Sequence, residues 1–177
     1  MRQAIYNVEI LHDKISGIDN TELVTHIEET GEPFTDIPFH THAEDTKIAE
    51  HPHLEKIVDR AKSLVREHLE CESEVESFWA HIHKTGESTD IHDHGRSDFA
   101  CIYYVKTPKD CGALLFHPNP WDTPPIPYEP QEGVVVVFPS WLKHSVSKNK
   151  SKYDRISISF NLTATGPAEP PIEPEVV

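Results

Sequence analysis

Positive charge is scarce in this chain. Sixteen Lys and Arg face 30 Asp and Glu, giving a net charge of −14 over 177 residues. A phosphate backbone or an anionic membrane surface would be repelled, so neither nucleic acid nor a membrane is expected as a partner. Small molecules and protein surfaces remain. Cysteine is sparse too. Cys71, Cys101 and Cys111 are odd in number and form no Cys-x-x-Cys. Reduced thiols in a cytoplasmic protein are the expectation. Long apolar runs are missing, and residues 1–10 alternate polar and apolar. The reading is no signal peptide and no membrane span. The length suits one domain with a sizeable core.

Histidine is abundant, with 13 copies. It is the commonest metal side-chain ligand, which directs attention to its spacing. The elements that carry the histidines come first. Residues 3–11 read as a strand. Asn20 is placed to cap a helix over about 20–30, with Leu23, Val24 and Ile27 on one face and Gly31 ending it. Residues 31–50, with Pro33 and Pro38, read as loop. The strongest helix spans about 52–70. Leu54, Ile57, Val58, Ala61, Leu64 and Val65 follow helical spacing, and Pro52 suits the first turn. Beyond it, strands are expected near 74–84, 88–94, 98–106, 112–117, 133–138, 143–147 and 153–162. The fold class is therefore mainly β, an antiparallel core with flanking helices. The domain covers 1–163. A proline-rich tail, 164–177, holds Pro167, Pro170, Pro171 and Pro174 and is expected to lack regular structure.

Four His-x-His pairs occur: His40/His42, His51/His53, His81/His83 and His92/His94. On a strand, residues two apart share a face, so two imidazoles can reach one metal. On a helix they point about 200° apart. His51 and His53 flank Pro52 and read as capping or surface groups. His40 and His42 read as exposed. The pair His92/His94 is distinguished by the residues downstream of it. Gly95 lets the chain turn away. Farther on, Phe138-Pro139-Ser140-Trp141-Leu142-Lys143-His144 delivers one more histidine beyond the apolar run Val134–Phe138. Asp90 shares the face of His92 and His94 if the strand is regular, and competes with His94 as the third ligand. Asp93 would face the other way.

In the last strand Ile156, Ile158, Phe160 and Leu162 alternate with Arg155, Ser157, Ser159 and Asn161. One reading is an amphipathic strand with a wet face. The sharper one makes the polar face a pocket wall. Arg155 then offers a planar fork to a carboxylate, and the Ser157 hydroxyl can reach the same group. His81, His83, Asn161 and Trp141 are further candidate pocket or supporting residues.

His92-Asp93-His94, then His144, then Arg155-Ile156-Ser157 resembles the signature of the double-stranded β-helix (jelly-roll, cupin-like) iron(II)/2-oxoglutarate oxygenases. Residues 99–105 and 112–116 resemble the matching strands of prolyl-hydroxylase-like members. The run from Gly133 to Ser140 and the final Arg-Ile-Ser-Ile-Ser-Phe-Asn look most like an oxygenase group of bacteria and phages. The resemblance covers roughly residues 76–162. It implies a metal on His92, His94 and His144, with iron(II), 2-oxoglutarate and O2 as cofactor and cosubstrates. It also implies Arg155, Ser157 and Tyr104 around the cosubstrate, no catalytic side chain beyond the metal centre, and release of succinate and CO2, most often with hydroxylation. The departure is His94, where the family usually has a carboxylate. Two other classes compete: a cupin-type three-histidine enzyme that uses no oxo-acid, and a non-catalytic metal-binding jelly roll. The substrate is left open as a small molecule or a protein side chain. The proline-rich segment 117–130, with Trp121 and Tyr128, reads as a stiff rim over the site or as a contact between copies in a homo-oligomer.

Overall fold

The computed structural model describes residues 8–30, 51–118 and 124–168. The expectations for His40, His42 and Trp121 lie outside these residues, as do those for 1–7 and 169–177. In chain order the elements are β1 (Leu11–Lys14), α1 (Asn20–Thr30), α2 (Pro52–Leu69), β2 (Cys71–His83), β3 (Thr89–His92), β4 (Phe99–Lys106), β5 (Leu114–Phe116), β6 (Ile126–Tyr128), β7 (Val134–Pro139), β8 (His144–Val146) and β9 (Arg155–Pro167). The strands form two antiparallel sheets. The larger runs β1-β7-β4-β9-β2 and the smaller β3-β8-β5-β6.

Strand alternation divides the large sheet into two apolar environments. One face carries Ala80, Cys101, Tyr103, Val105, Val135, Val137, Ile156, Ile158, Phe160 and Leu162. These pack with Leu23 and Ile27 of α1 and Leu54, Ile57, Ala61, Leu64 and Val65 of α2. Burying each large aliphatic chain contributes about 1.5–3 kcal/mol, so this layer holds the sheet to its helical backing. The other face turns Ala100, Ile102, Tyr104, Val134, Val136 and Phe138 toward Leu114, Phe116 and Val146 of the small sheet. β7 is thus buried on both sides, as its unbroken apolar run requires. The whole is the double-stranded β-helix expected from the sequence, with two helices covering one side.

Several boundaries differ from the expectation. β1 starts at Leu11, where it pairs with Val137 and follows β7 to Lys14 beside Val134. The α1 cap is Asp19 rather than Asn20: its Oδ1 accepts from the backbone N–H groups of Thr21 (2.9 Å) and Glu22 (3.3 Å). Asn20 instead accepts the Tyr103 hydroxyl at 2.9 Å. Within the proline-rich segment, Ile126–Tyr128 is a strand. It sits at the sheet edge, where Pro127 sacrifices no ladder bond that an inner strand would need. β9 runs past 163 to Pro167, which lies opposite Cys71 on β2. The expected tail therefore begins as strand, held by that partner.

Candidate metal and oxo-acid site

β3 and β8 pair so that His92 lies directly opposite His144. His94 lies two residues beyond the end of β3. Its backbone N–H donates to the Ser140 carbonyl at 2.9 Å, and Ser140 N–H in turn donates to Asp98 O at 3.0 Å. Gly95, at φ +50°, occupies the left-handed region that lets the chain leave here. Its N–H bonds the Asp93 carboxylate at 3.2 Å. The loop after β3 is thereby laced to the turn before β8, and the three rings meet. Ring centroids lie 4.3 Å apart for His92/His144, 4.9 Å for His94/His144 and 5.3 Å for His92/His94. One nitrogen from each falls within 4.8 Å of the others, a spacing that could hold a metal ion.

The far nitrogens set the chemistry of the near ones. His92 Nδ1 lies 2.8 Å from Asp90 O, His144 Nδ1 2.9 Å from Leu142 O, and His94 Nδ1 2.5 Å from Asn161 Oδ1. A carbonyl oxygen only accepts, so each Nδ1 carries a proton, and in the neutral ring Nε2 is then the nitrogen with the lone pair. Three neutral imidazoles are thus set to ligate through Nε2. Desolvation pushes His94 below its ordinary value and His144 down to about 3. Both rings remain neutral when an exposed histidine would be protonated.

That shift has a consequence for the metal-free protein. As pH falls below the ordinary histidine value of 6.5, the unfolded chain binds a proton that native His144 refuses until about 3. Native stability is therefore present above that window and declines through it, by about 1.4 kcal/mol per pH unit for one group. Urea unfolding of chelator-treated protein should show a shallower acid slope for His144→Gln than for the parent.

The converging ligand atoms are those of His92, His94 and His144, and Asp90 is not among them. A register shift between Thr89 and His92 breaks the alternation that would place its carboxylate beside the rings. Asp90 contributes its backbone oxygen instead, and its exposed side chain lines the rim.

The triad opens into a cavity of about 720 Å³, also lined by Trp79, His81, His83, Asp90, Ile102, Val146, Arg155, Ser157, Ser159 and Asn161. The polar face of β9 is therefore a pocket wall. Arg155 is 1 % exposed. Its Nε and Nη1 find no hydrogen-bond partner among the described residues. Its guanidinium carbon sits 5.4 Å from the Tyr104 ring centroid. Tyr104 is fully buried beneath it, and burial pushes its phenol up while the Arg155 charge acts the other way. Trp79 Nε1 donates to His81 Nε2 at 2.6 Å, and His83 Nε2 bonds Thr89 Oγ1 at 2.7 Å. Both histidines of that pair are among the residues that line the cavity. Trp141 does not: it is 49 % exposed on the turn before β8 and lines no part of the cavity. Its neighbours Ser140 and Leu142 are buried, which turns it outward. Thr89 and Ile102 were not anticipated, because their pocket position follows from cross-strand register rather than from residue type.

The family described as Putative 2OG-Fe(II) oxygenase matches residues 117–161. The matched segment contains His144, Arg155, Ser157 and Asn161 but not His92 or His94. Comparison with curated proteins found no match. Among solved structures, the non-heme alpha ketoglutarate dependent carbocyclase SnoK from nogalamycin biosynthesis superposes with a TM-score of 0.67, at 14% identity, covering 89% of this chain and 81% of that one. A Pseudomonas putida prolyl-4-hydroxylase gives 0.60 at 15% identity, with 89% and 93% covered. A 2OG-Fe(II) oxygenase family oxidoreductase from Burkholderia pseudomallei gives 0.54 at 18% identity, covering 66% of this chain. This chain spans 61% of the Burkholderia protein's length. At these identities the superpositions establish the double-stranded β-helix fold.

Proposed function

We propose that the protein is a non-haem iron(II)- and 2-oxoglutarate-dependent oxygenase that hydroxylates a small molecule or a protein side chain. The observation that carries this is a pairing within one cavity. Three converging Nε2 donors share it with a buried guanidinium whose Nε and Nη1 have no partner among the described residues. Any jelly-roll metal protein can offer histidines. A buried guanidinium with two nitrogens left without partners is costly unless a ligand anion satisfies them.

The residues fit the implied groups. Neutral imidazoles suit iron(II), and three protein ligands leave open positions on the metal. Bound there, iron(II) would supply the redox chemistry coupling 2-oxoglutarate and O2 to substrate oxidation, yielding succinate, CO2 and a hydroxylated product. Arg155 would pair with the far carboxylate of 2-oxoglutarate as a planar fork. Ser157, two residues on and on the same face, would add a hydroxyl donor. Tyr104 would close the floor beneath them. Ile102 and Val146 line the same cavity and would shield the reacting groups from water. Ser88, Asp90 and Ile91 are exposed lining residues and would border the substrate entrance.

The three-histidine set by itself favours a cupin-type enzyme that uses no oxo-acid, but that reading gives Arg155 nothing to bind. Net charge of −14 supports a neutral or basic substrate rather than nucleic acid. Three free cysteines support a reducing, cytoplasmic setting. Among the described residues, no helix is long and apolar enough to cross a membrane.

The test is an anaerobic titration of iron(II)-loaded protein with 2-oxoglutarate, followed by visible absorption. A saturable metal-to-ligand charge-transfer band is expected. Iron saturation with no band would refute the oxygenase reading.

A further inference from the structure

The three candidate ligands are not held alike. His92 and His144 donate Nδ1–H to backbone carbonyls two residues before them, Asp90 O and Leu142 O. No substitution of a neighbouring side chain removes those acceptors. His94 alone of the three is oriented by a side chain, the Asn161 amide, at 2.5 Å. It is also the ligand that departs from the usual carboxylate.

Asn161 is built to do one thing here. It lies on β9 between β2 and β4, opposite Ser77 on one side and Ala100 on the other. It is 9 % exposed. Its Nδ2 donates to Ser77 Oγ at 2.9 Å. With its nitrogen on Ser77, the amide turns its oxygen to the ring. The oxygen can only accept, so His94 must carry its proton on Nδ1 and present Nε2 to the cavity. With the amide reversed, Nδ2 would donate to Nδ1 and the proton would move to Nε2, where it blocks ligation.

We infer that Asn161, held by Ser77, is the positioning residue that makes His94 a metal ligand. The inference rests on the proposed metal site and adds a residue to it. Groups that orient a ligating histidine in this way are commonly worth about 10–100-fold in metal affinity. A carboxylate in the same place also accepts from Nδ1 and adds negative charge behind the ring, raising its basicity.

The experiment measures iron(II) affinity under anaerobic conditions, by competition with a chromophoric chelator, for the parent, Asn161→Leu, Asn161→Asp and Ser77→Ala. Asn161→Leu keeps the volume and loses the acceptor, and should bind iron about 10–100-fold more weakly. Asn161→Asp should bind at least as tightly as the parent. Ser77→Ala frees the amide without touching His94, and should fall between the two. If Asn161 serves only packing, burying a charge with Asp should be at least as damaging as Leu. Asn161→Leu binding as tightly as the parent, or Asn161→Asp binding no better than Asn161→Leu, would overturn the inference. If Asn161→Leu fails to fold, the Asp and Ser77→Ala variants still decide it: Asp must hold iron and Ser77→Ala must weaken it. A parent protein that binds no iron would instead defeat the proposed function, so the two failures are distinguishable.

Discussion

Replacing Arg155 with leucine should weaken 2-oxoglutarate binding by about a hundredfold or more while leaving iron(II) affinity within about twofold. The reason is burial. A guanidinium at 1 % exposure, with Nε and Nη1 unpartnered, gains a full charge-assisted pair when a carboxylate arrives. Truncating one partner of such a buried pair typically costs about 2–5 kcal/mol, and each 1.4 kcal/mol is tenfold in affinity. Arg155→Lys should recover only part of the loss, because an ammonium cannot present two parallel N–H groups. A second effect distinguishes this account from a structural role for the arginine. Nε and Nη1 of the buried Arg155 have no partner among the described residues, so Arg155→Leu, which removes that cost, should melt no lower than the parent. Adding 2-oxoglutarate with iron(II) should then raise the melting temperature of the parent alone. Calorimetric titration and thermal melts of the two proteins, side by side, measure both effects. Equal 2-oxoglutarate affinity in parent and variant would contradict the assignment.

The other large effect is expected at His144. This ring is 2 % exposed, stands opposite His92 across β3 and β8, and packs edge-on against Phe138 at 4.8 Å. Structural zinc sites with about four ligands bind with roughly 10–16 kcal/mol, so one ligand carries about 2.5–4 kcal/mol. Losing it should weaken iron(II) binding by about 100–1,000-fold. His117→Ala is the informative control. His117 also lies beside the small sheet, with Nε2 2.9 Å from Ser145 Oγ, but it is not in the triad. Its removal should leave iron affinity unchanged. Chelator competition on both variants reads the difference, and equal losses would mean that the metal sits elsewhere.

How much of this was legible in the sequence depended on range. Arg155 could be read locally, because strand period two fixes which β9 residues share a face, and the His92-x-His94 spacing stood out although His94 lies beyond the end of β3. The β9 pattern of apolar even and polar odd positions could be read the same way. Both of its faces proved buried, one under the helices and one against the cavity. Asp90 shows where local reading fails. The same period-two rule made it a rival ligand, but β3 is irregular between Thr89 and His92, and Asp90 is not among the converging ligand atoms. Asn161 was visible as a pocket residue, but its partners Ser77 and His94 are 84 and 67 residues away in sequence. Only the cross-strand register brings them together. β6 was hidden by its prolines, whose meaning depends on whether a strand lies at an edge. Two further lining residues, Thr89 and Ile102, carry no residue-type signal at all.

The most direct measurement is a crystal structure of the protein grown anaerobically with iron(II) and 2-oxoglutarate. The account predicts one iron ligated by Nε2 of His92, His94 and His144, with the distal carboxylate of 2-oxoglutarate on the Arg155 guanidinium. Iron bound through the Asp90 carboxylate in place of His94, or 2-oxoglutarate seated away from Arg155, would contradict it.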